Sequence, residues 1–194
     1  MAGAAIVSRP PLSHCAPCDS LSLPAYERIG IRSNSSAAGT ASSVLLVGIA
    51  GGVALASLRG VDPARARGNA AVLADAVSWT VAATELIKLG VHRARPALYR
   101  SDAAAVSGVR DNRESFPSGH TSVAFAAATA YTTIAFRQHL PHAGRNAVLL
   151  YAAATAVGAL RVAGGRHFPT DVLAGAVLGG GIGWATARLH PMTP

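Results

Sequence analysis

Charge is scarce in this chain, and lysine scarcer still. Only 13% of its 194 residues are charged, about half the share of an ordinary soluble domain. Of the 17 basic residues, sixteen are arginine and one, Lys88, is lysine. Aromatic residues make up 5%, too few for a platform that stacks single-stranded bases. The arginines are scattered between apolar segments, so the net charge of +8 does not point to a nucleic-acid partner. Cations placed that way suit loops at a membrane surface or groups that hold an anion. Cysteine occurs twice, as Cys15 and Cys18 in His14-Cys15-Ala16-Pro17-Cys18. No second pair completes a four-ligand zinc site, and no βαβ pattern supports a redox motif. The pair reads as functionally silent. A compact apolar run is also missing after Arg9-Pro10-Pro11, so no cleavable signal is expected there.

What is present is apolar and small. Hydrophobic residues are 51% of the chain and glycine numbers 20, which excludes intrinsic disorder. Residues 1–36 carry Pro10, Pro11, Pro17, Pro24 and the run Ser33-Asn34-Ser35-Ser36, and read as an irregular N-terminal arm. One domain is expected over residues 37–194. Uncharged or nearly uncharged segments predict helices at 40–58, 69–91, 120–136, 147–161 and 171–188. The longest uncharged run, 33–58, exceeds the roughly 20 residues that span a bilayer. The second segment holds Asp75, Glu85 and Lys88 and is not expected to pass a strict hydropathy cut. Glu85 and Lys88, three apart, share a helix face. Glycines near the fifth segment, Gly179, Gly180, Gly181 and Gly183, let helices approach closely. No strand alternation is visible. The expected fold is all-α: a bundle of about five to six mostly transmembrane helices, with a site at the helix ends on one membrane face. A soluble bundle with an alanine-rich core is the other reading, and the 33–58 run weighs against it.

Three clusters carry chemistry. In Lys88-Leu89-Gly90-Val91-His92-Arg93-Ala94-Arg95-Pro96, Lys88 and Arg95 stand two helical turns apart and suit an oxyanion such as phosphate. In Phe116-Pro117-Ser118-Gly119-His120, Ser118 is a good N-cap. Gly119 permits close backbone approach, and the helix-start amides attract an anion beside His120. In Arg161-Val162-Ala163-Gly164-Gly165-Arg166-His167-Phe168-Pro169-Thr170-Asp171, His167 and Asp171 are four apart at a helix start. A hydrogen bond between them would orient the imidazole as a nucleophile. Taken singly, these clusters could equally be boundary cations, a plain helix cap with an incidental histidine, and an interfacial ion pair. Five crossings of the chain bring all three to the same side.

Together the residues resemble the type 2 phosphatidic acid phosphatase superfamily (PAP2), which also includes bacterial acid phosphatases and vanadium haloperoxidases. Its pattern is matched in order by Lys88…Arg95-Pro96, then Pro117-Ser118-Gly119-His120, then Arg161…His167…Asp171. Leu160 stands where the family usually has serine. The resemblance spans about residues 40–190. It implies a phosphatase that needs no metal and no cofactor, acting through a phosphohistidine. His167 would be the nucleophile, Asp171 its orienting group, and His120 the acid and then the base. Lys88, Arg95, Ser118, Gly119 and Arg161 would hold the phosphoryl oxygens. Glu85 is expected to orient Lys88.

A site at membrane helix ends implies a phosphorylated lipid as substrate, such as a phosphatidic acid or a polyprenyl diphosphate. Family members of this kind resemble enzymes whose site faces away from the cytoplasm, so a bacterial inner membrane with the site facing the periplasm or the outside is expected. Two other classes are consistent with the same pocket. One is a membrane protein that binds or moves a phosphorylated lipid without turnover, and the other is a vanadate-dependent haloperoxidase.

Overall fold

The computed structural model describes residues 15–59 and 61–190. Its seven α-helices are α1 (Arg28–Arg32), α2 (Ser36–Leu58), α3 (Pro63–Val91), α4 (Ala103–Val106), α5 (Gly119–Arg137), α6 (Ala143–Ala163) and α7 (Pro169–Leu189). Short 3-10 turns cover Ser20–Ser22, Pro96–Tyr99 and Arg110–Arg113. No strand occurs among the described residues.

Local chemistry sets the helix limits. The Ser35 side chain accepts from the Ala38 amide and opens α2. Asp62 accepts from the amides of Ala64 and Arg65, with Pro63 in the first turn, so α3 starts a turn and a half earlier than hydropathy alone suggested. Arg65 and Arg67 therefore lie on the helix and not in a loop. At the other end α3 stops at Val91, because His92 adopts a left-handed conformation with φ 49. Arg95 is thus carried by extended backbone beyond the helix, not on the face it was expected to share with Lys88. Both carboxylates within α3 are answered: Asp75 meets His190 at 2.9 Å and Glu85 meets Lys88 at 2.8 Å.

Four stretches are long and apolar enough to cross a membrane: α2, Pro63–Tyr99, α6 and α7. The second of these passes despite its charges. Conversely, α5 does not qualify, because it is the central helix and is filled with small and hydroxyl residues. Thr121, Ser122, Ala124, Ala126, Ala127, Ala128 and Ala130 are all buried on it. Around it, α2, α3, α6 and α7 turn Val44, Val47, Trp79, Leu86, Val148, Leu149, Leu173, Val177 and Trp184 outward. An apolar exterior around an interior rich in alanine and hydroxyl groups is the arrangement a lipid solvent permits.

The tightest packing lies between α5 and α7. Gly175, Gly179 and Gly183 recur one helical turn apart and face Ser118, Ser122 and Ala126 of α5. A Cβ added at Gly175 would stand 2.7 Å from the Ser118 carbonyl oxygen, and one at Gly183 would stand 2.5 Å from that of Ala126. This seam fixes where α5 and α7 begin relative to each other, and both begin at the same end of the bundle. The segment before α2 packs there too: Cys18 donates its amide to the Leu98 carbonyl at 2.8 Å, and Glu27 is buried. Cys15 and Cys18 form a disulfide.

Candidate active site

The start of α5, the start of α7 and the ends of α3 and α6 converge at one end of the bundle, so all three sequence clusters meet. Lys88, on the last turn of α3, points at the opening of α5. A Cβ on Gly119 would lie 3.8 Å from its Nζ. Its ammonium donates to Glu85 Oε1 at 2.8 Å; the lysine side chain is 12% exposed and the glutamate 56%. The expected Glu85–Lys88 contact is therefore present, with the lysine as the inward member.

Arg95 is held on three sides. Its Nε donates to the Asp111 carbonyl at 2.7 Å, Nη2 to Asp111 Oδ1 at 2.7 Å, and Nη1 to the Arg166 carbonyl at 3.0 Å. The same Nη1 lies 3.3 Å from His167 Nε2. Arg161 comes from the end of α6, with Nη1 donating to Ser42 Oγ at 3.4 Å and Nε buried without a protein partner. His120 projects from the first turn of α5, its Nε2 3.1 Å from Ser43 Oγ. Lys88, Arg95 and Arg161 all lie within electrostatic reach of His120. Three cations gathered around two imidazoles supply the positive charge that an oxyanion would need.

Ser118 occupies the N-cap position of α5, as expected, but its hydroxyl pairs with Thr121 Oγ1 at 3.0 Å and caps no backbone amide. The opening turn of α5 is consequently left without a side-chain acceptor.

His167 is fully buried, and burial pushes its imidazole down to about 4. Its Nδ1 donates to the carbonyl oxygen of Ser115 at 2.8 Å. Because a carbonyl only accepts, the ring proton sits on Nδ1, and Nε2 keeps its lone pair on the side of Arg95. The expected His167–Asp171 hydrogen bond does not form: Nδ1 and Oδ2 are 3.6 Å apart, beyond hydrogen-bond range, and the neutral ring makes no ion pair with the carboxylate. The carboxylate is occupied elsewhere. Oδ2 accepts from Ser115 Oγ at 2.5 Å and from the Phe168 amide at 2.8 Å; Oδ1 accepts from Arg93 Nη1 at 2.6 Å.

Ser115, Arg93, Asp111, Ser42 and Ser43 were not singled out from sequence. Arg93 stood inside a quoted cluster, and an arginine two positions from Arg95 is a weak signal. The two serines of α2 give none, since they lie in an apolar helix and become polar contacts only when α2 packs beside α5 and α6. Among the described residues no group of three or more His, Cys, Asp or Glu could hold a metal ion.

The model of the PAP2 superfamily matches residues 69–193, a region that contains Lys88, Arg95, His120, Arg161, His167 and Asp171. The chain belongs to the PAP2 superfamily. It is 40% identical over 68 residues to the lipid A 1-phosphatase of Porphyromonas gingivalis, an alignment covering 34% of this chain and 14% of that protein. The chain thus spans a small part of the length of that relative. No solved structure matches it. With four stretches able to cross a bilayer, this PAP2 chain is an integral membrane protein. Its Glu27, Ser42 and Ser43 lie before the region matched by the family model.

Proposed function

We propose that the protein hydrolyses a phosphate monoester or diphosphate of a lipid through a phosphohistidine on His167. The observation that carries this reading is the forced tautomer of His167: with Nδ1–H given to Ser115, Nε2 offers its lone pair toward Arg95, with Arg161 also near the ring. In the first step Nε2 forms a bond to phosphorus while the bond to the lipid oxygen breaks, and His120 supplies the proton that oxygen needs. Lys88, Arg95, Arg161 and the opening amides of α5 hold the equatorial oxygens, where charge accumulates. In the second step His120 takes a proton from water, which displaces the phosphoryl group from His167. Asp171 balances the charge the imidazole gains.

A lipid substrate is supported by the setting. An apolar groove of about 490 Å³ between α2, α3 and α5 is lined by Leu46, Val47, Val77 and Val123 among others. Val123 lies one turn below His120, so a chain in the groove would bring its headgroup to the site. The relative is a lipid A 1-phosphatase, and a lipid A phosphate belongs among the candidates. Two features support a site facing away from the cytoplasm of a bacterial inner membrane. The Cys15–Cys18 disulfide lies at the active end, and disulfides persist in oxidising compartments. Arg59, Arg65, Arg67, Arg137, Arg145 and Arg188 lie toward the opposite end, as a cytoplasmic face requires; the active end carries more arginines, but these include the site's own Arg93, Arg95 and Arg161.

The test is phosphate release in detergent from a panel of lipid phosphates and diphosphates, with EDTA present, comparing wild type with His167→Ala. Release that survives EDTA and is lost in the variant supports the mechanism. A well-folded wild type that binds these lipids and releases nothing would overturn it in favour of binding without turnover.

A further inference from the structure

Glu27 is a carboxylate buried to 2% exposure outside the region matched by the family model. Its Oε2 stands 3.5 Å from Arg93 Nη2, and Arg93 Nη1 stands 2.6 Å from Asp171 Oδ1. Arg93 is therefore shared between two carboxylates. It also lies over the Phe168 ring, 4.4 Å from the centroid, and donates to Thr170 Oγ1 at 2.6 Å. The segment bearing Glu27 is seated on the site backbone, since a Cβ at Gly30 would lie 3.1 Å from the His167 carbonyl oxygen.

We propose that Glu27 is a positioning residue for the reaction, acting through Arg93 on Asp171 and so on His167. This rests on the phosphohistidine reading above. Two carboxylates around one guanidinium carry one net negative charge. That charge is surplus while His167 is neutral. When Nε2 bonds to phosphorus and the lipid oxygen leaves with the His120 proton, the imidazole keeps its Nδ1 proton and becomes cationic. The surplus charge then has its counterpart. Without Glu27, Arg93 and Asp171 would cancel each other, and the cationic ring would form in buried surroundings with no net negative charge on its Asp171 side. The effect falls on the formation of the intermediate and not on the binding of phosphate, which Lys88, Arg95 and Arg161 provide from the other side of the ring.

The experiment compares wild type, Glu27→Gln and Glu27→Asp on one lipid phosphate, following trapped acid-labile phosphoenzyme together with kcat and KM. Glu27→Gln is expected to slow phosphoenzyme formation and kcat by about tenfold or more, equivalent to roughly one pKa unit of lost charge stabilisation. KM should be unchanged, and Glu27→Asp should recover most of the rate. Should Glu27→Gln not fold, Glu27→Met carries the test: Glu27 Oε2 has no hydrogen-bond partner, so an apolar side chain of similar length can fill its place, and it is expected to show the same loss of about tenfold in kcat at unchanged KM. A folded Glu27→Gln or Glu27→Met at the wild-type rate, a defect confined to KM, or an equally slow Glu27→Asp would each overturn the proposal. If wild type itself forms no phosphoenzyme, the phosphohistidine reading falls and Glu27 falls with it. Wild-type turnover with an unaffected Glu27→Gln removes Glu27 alone.

Discussion

His167 gives its Nδ1 proton to the backbone carbonyl of Ser115 at 2.8 Å, while the Ser115 hydroxyl gives its own proton to Asp171 Oδ2 at 2.5 Å. One residue thus sets the tautomer of the imidazole and holds the carboxylate beside it. Backbone and side chain of Ser115 can be separated by substitution, because only the hydroxyl depends on residue type.

Ser115→Ala keeps the carbonyl that fixes the tautomer and removes a buried donor to Asp171. The protein should lose about 1–3 kcal/mol of stability, the cost of leaving a buried carboxylate oxygen with one partner fewer. Turnover should fall about tenfold but not vanish. Thermal unfolding in detergent and steady-state phosphate release check the two halves.

The pH dependence follows from His167, held down to about 4 against an ordinary value of 6.5. As pH falls, the unfolded chain takes up this proton near 6.5 and the folded chain only near 4. The unfolded state then binds more protons, so stability rises with pH across that window. The contribution is complete above about 6.5 and is lost progressively toward about 4. Melting temperatures of wild type and His167→Asn should therefore diverge less at pH near 5 than at pH near 7. Protonation of Nε2 should not slow phosphoenzyme formation until the pH falls below about 5.

Lys88 and Glu85 form one contact with unequal partners, the lysine 12% exposed and the glutamate 56%. Lys88→Met is expected to weaken vanadate or phosphate binding at least tenfold, as a lost charge contact to an anion does. Glu85→Gln should change it by less than about threefold, because an exposed carboxylate contributes little. Titration with vanadate measures both, and a Glu85→Ala variant with unchanged affinity and turnover would remove any orienting role for Glu85.

Gly179 and Gly181 are two residues apart on α7 and meet opposite surroundings. A Cβ at Gly179 would run into the Ser122 backbone, whereas at Gly181 it would meet nothing within 4 Å. Gly179→Ala should cost about 1–3 kcal/mol through overpacking and lower activity by moving α7 off α5. Gly181→Ala should leave both unchanged. Thermal unfolding of the pair gives the comparison.

The helices were legible because their determinants are local. Long uncharged runs mark the spans, whereas the caps that open α2 and α3, Ser35 and Asp62 with Pro63, lie ahead of the segments read as helices at 40–58 and 69–91, so both helices start earlier than expected. The charged α3 passes as a span because Asp75 and Glu85 are the only charged residues between Arg67 and Lys88. The motif residues were legible for a similar reason. Lys88, Ser118 to His120, and Arg161 to Asp171 each stand at fixed spacing next to a helix end, where chemistry and topology coincide.

What tertiary structure alone decided is which atoms meet. Ser115 and Asp171 are 56 residues apart, and Arg93 and Asp171 are 78 apart. Their bonds exist because three glycines of α7 let it close on α5, bringing the loop before one helix against the first turn of the other. The same closeness put Asp171 to work on Arg93, Ser115 and the Phe168 amide, so that His167 turned to a carbonyl instead. Residue spacing of four along a helix brings His167 and Asp171 near each other; it does not choose among competing donors, because that choice depends on groups contributed by distant segments, including Glu27 from ahead of the first spanning helix. The sequence by itself determined a membrane bundle with a cationic two-histidine site at one end, and packing determined how that site is charged and oriented.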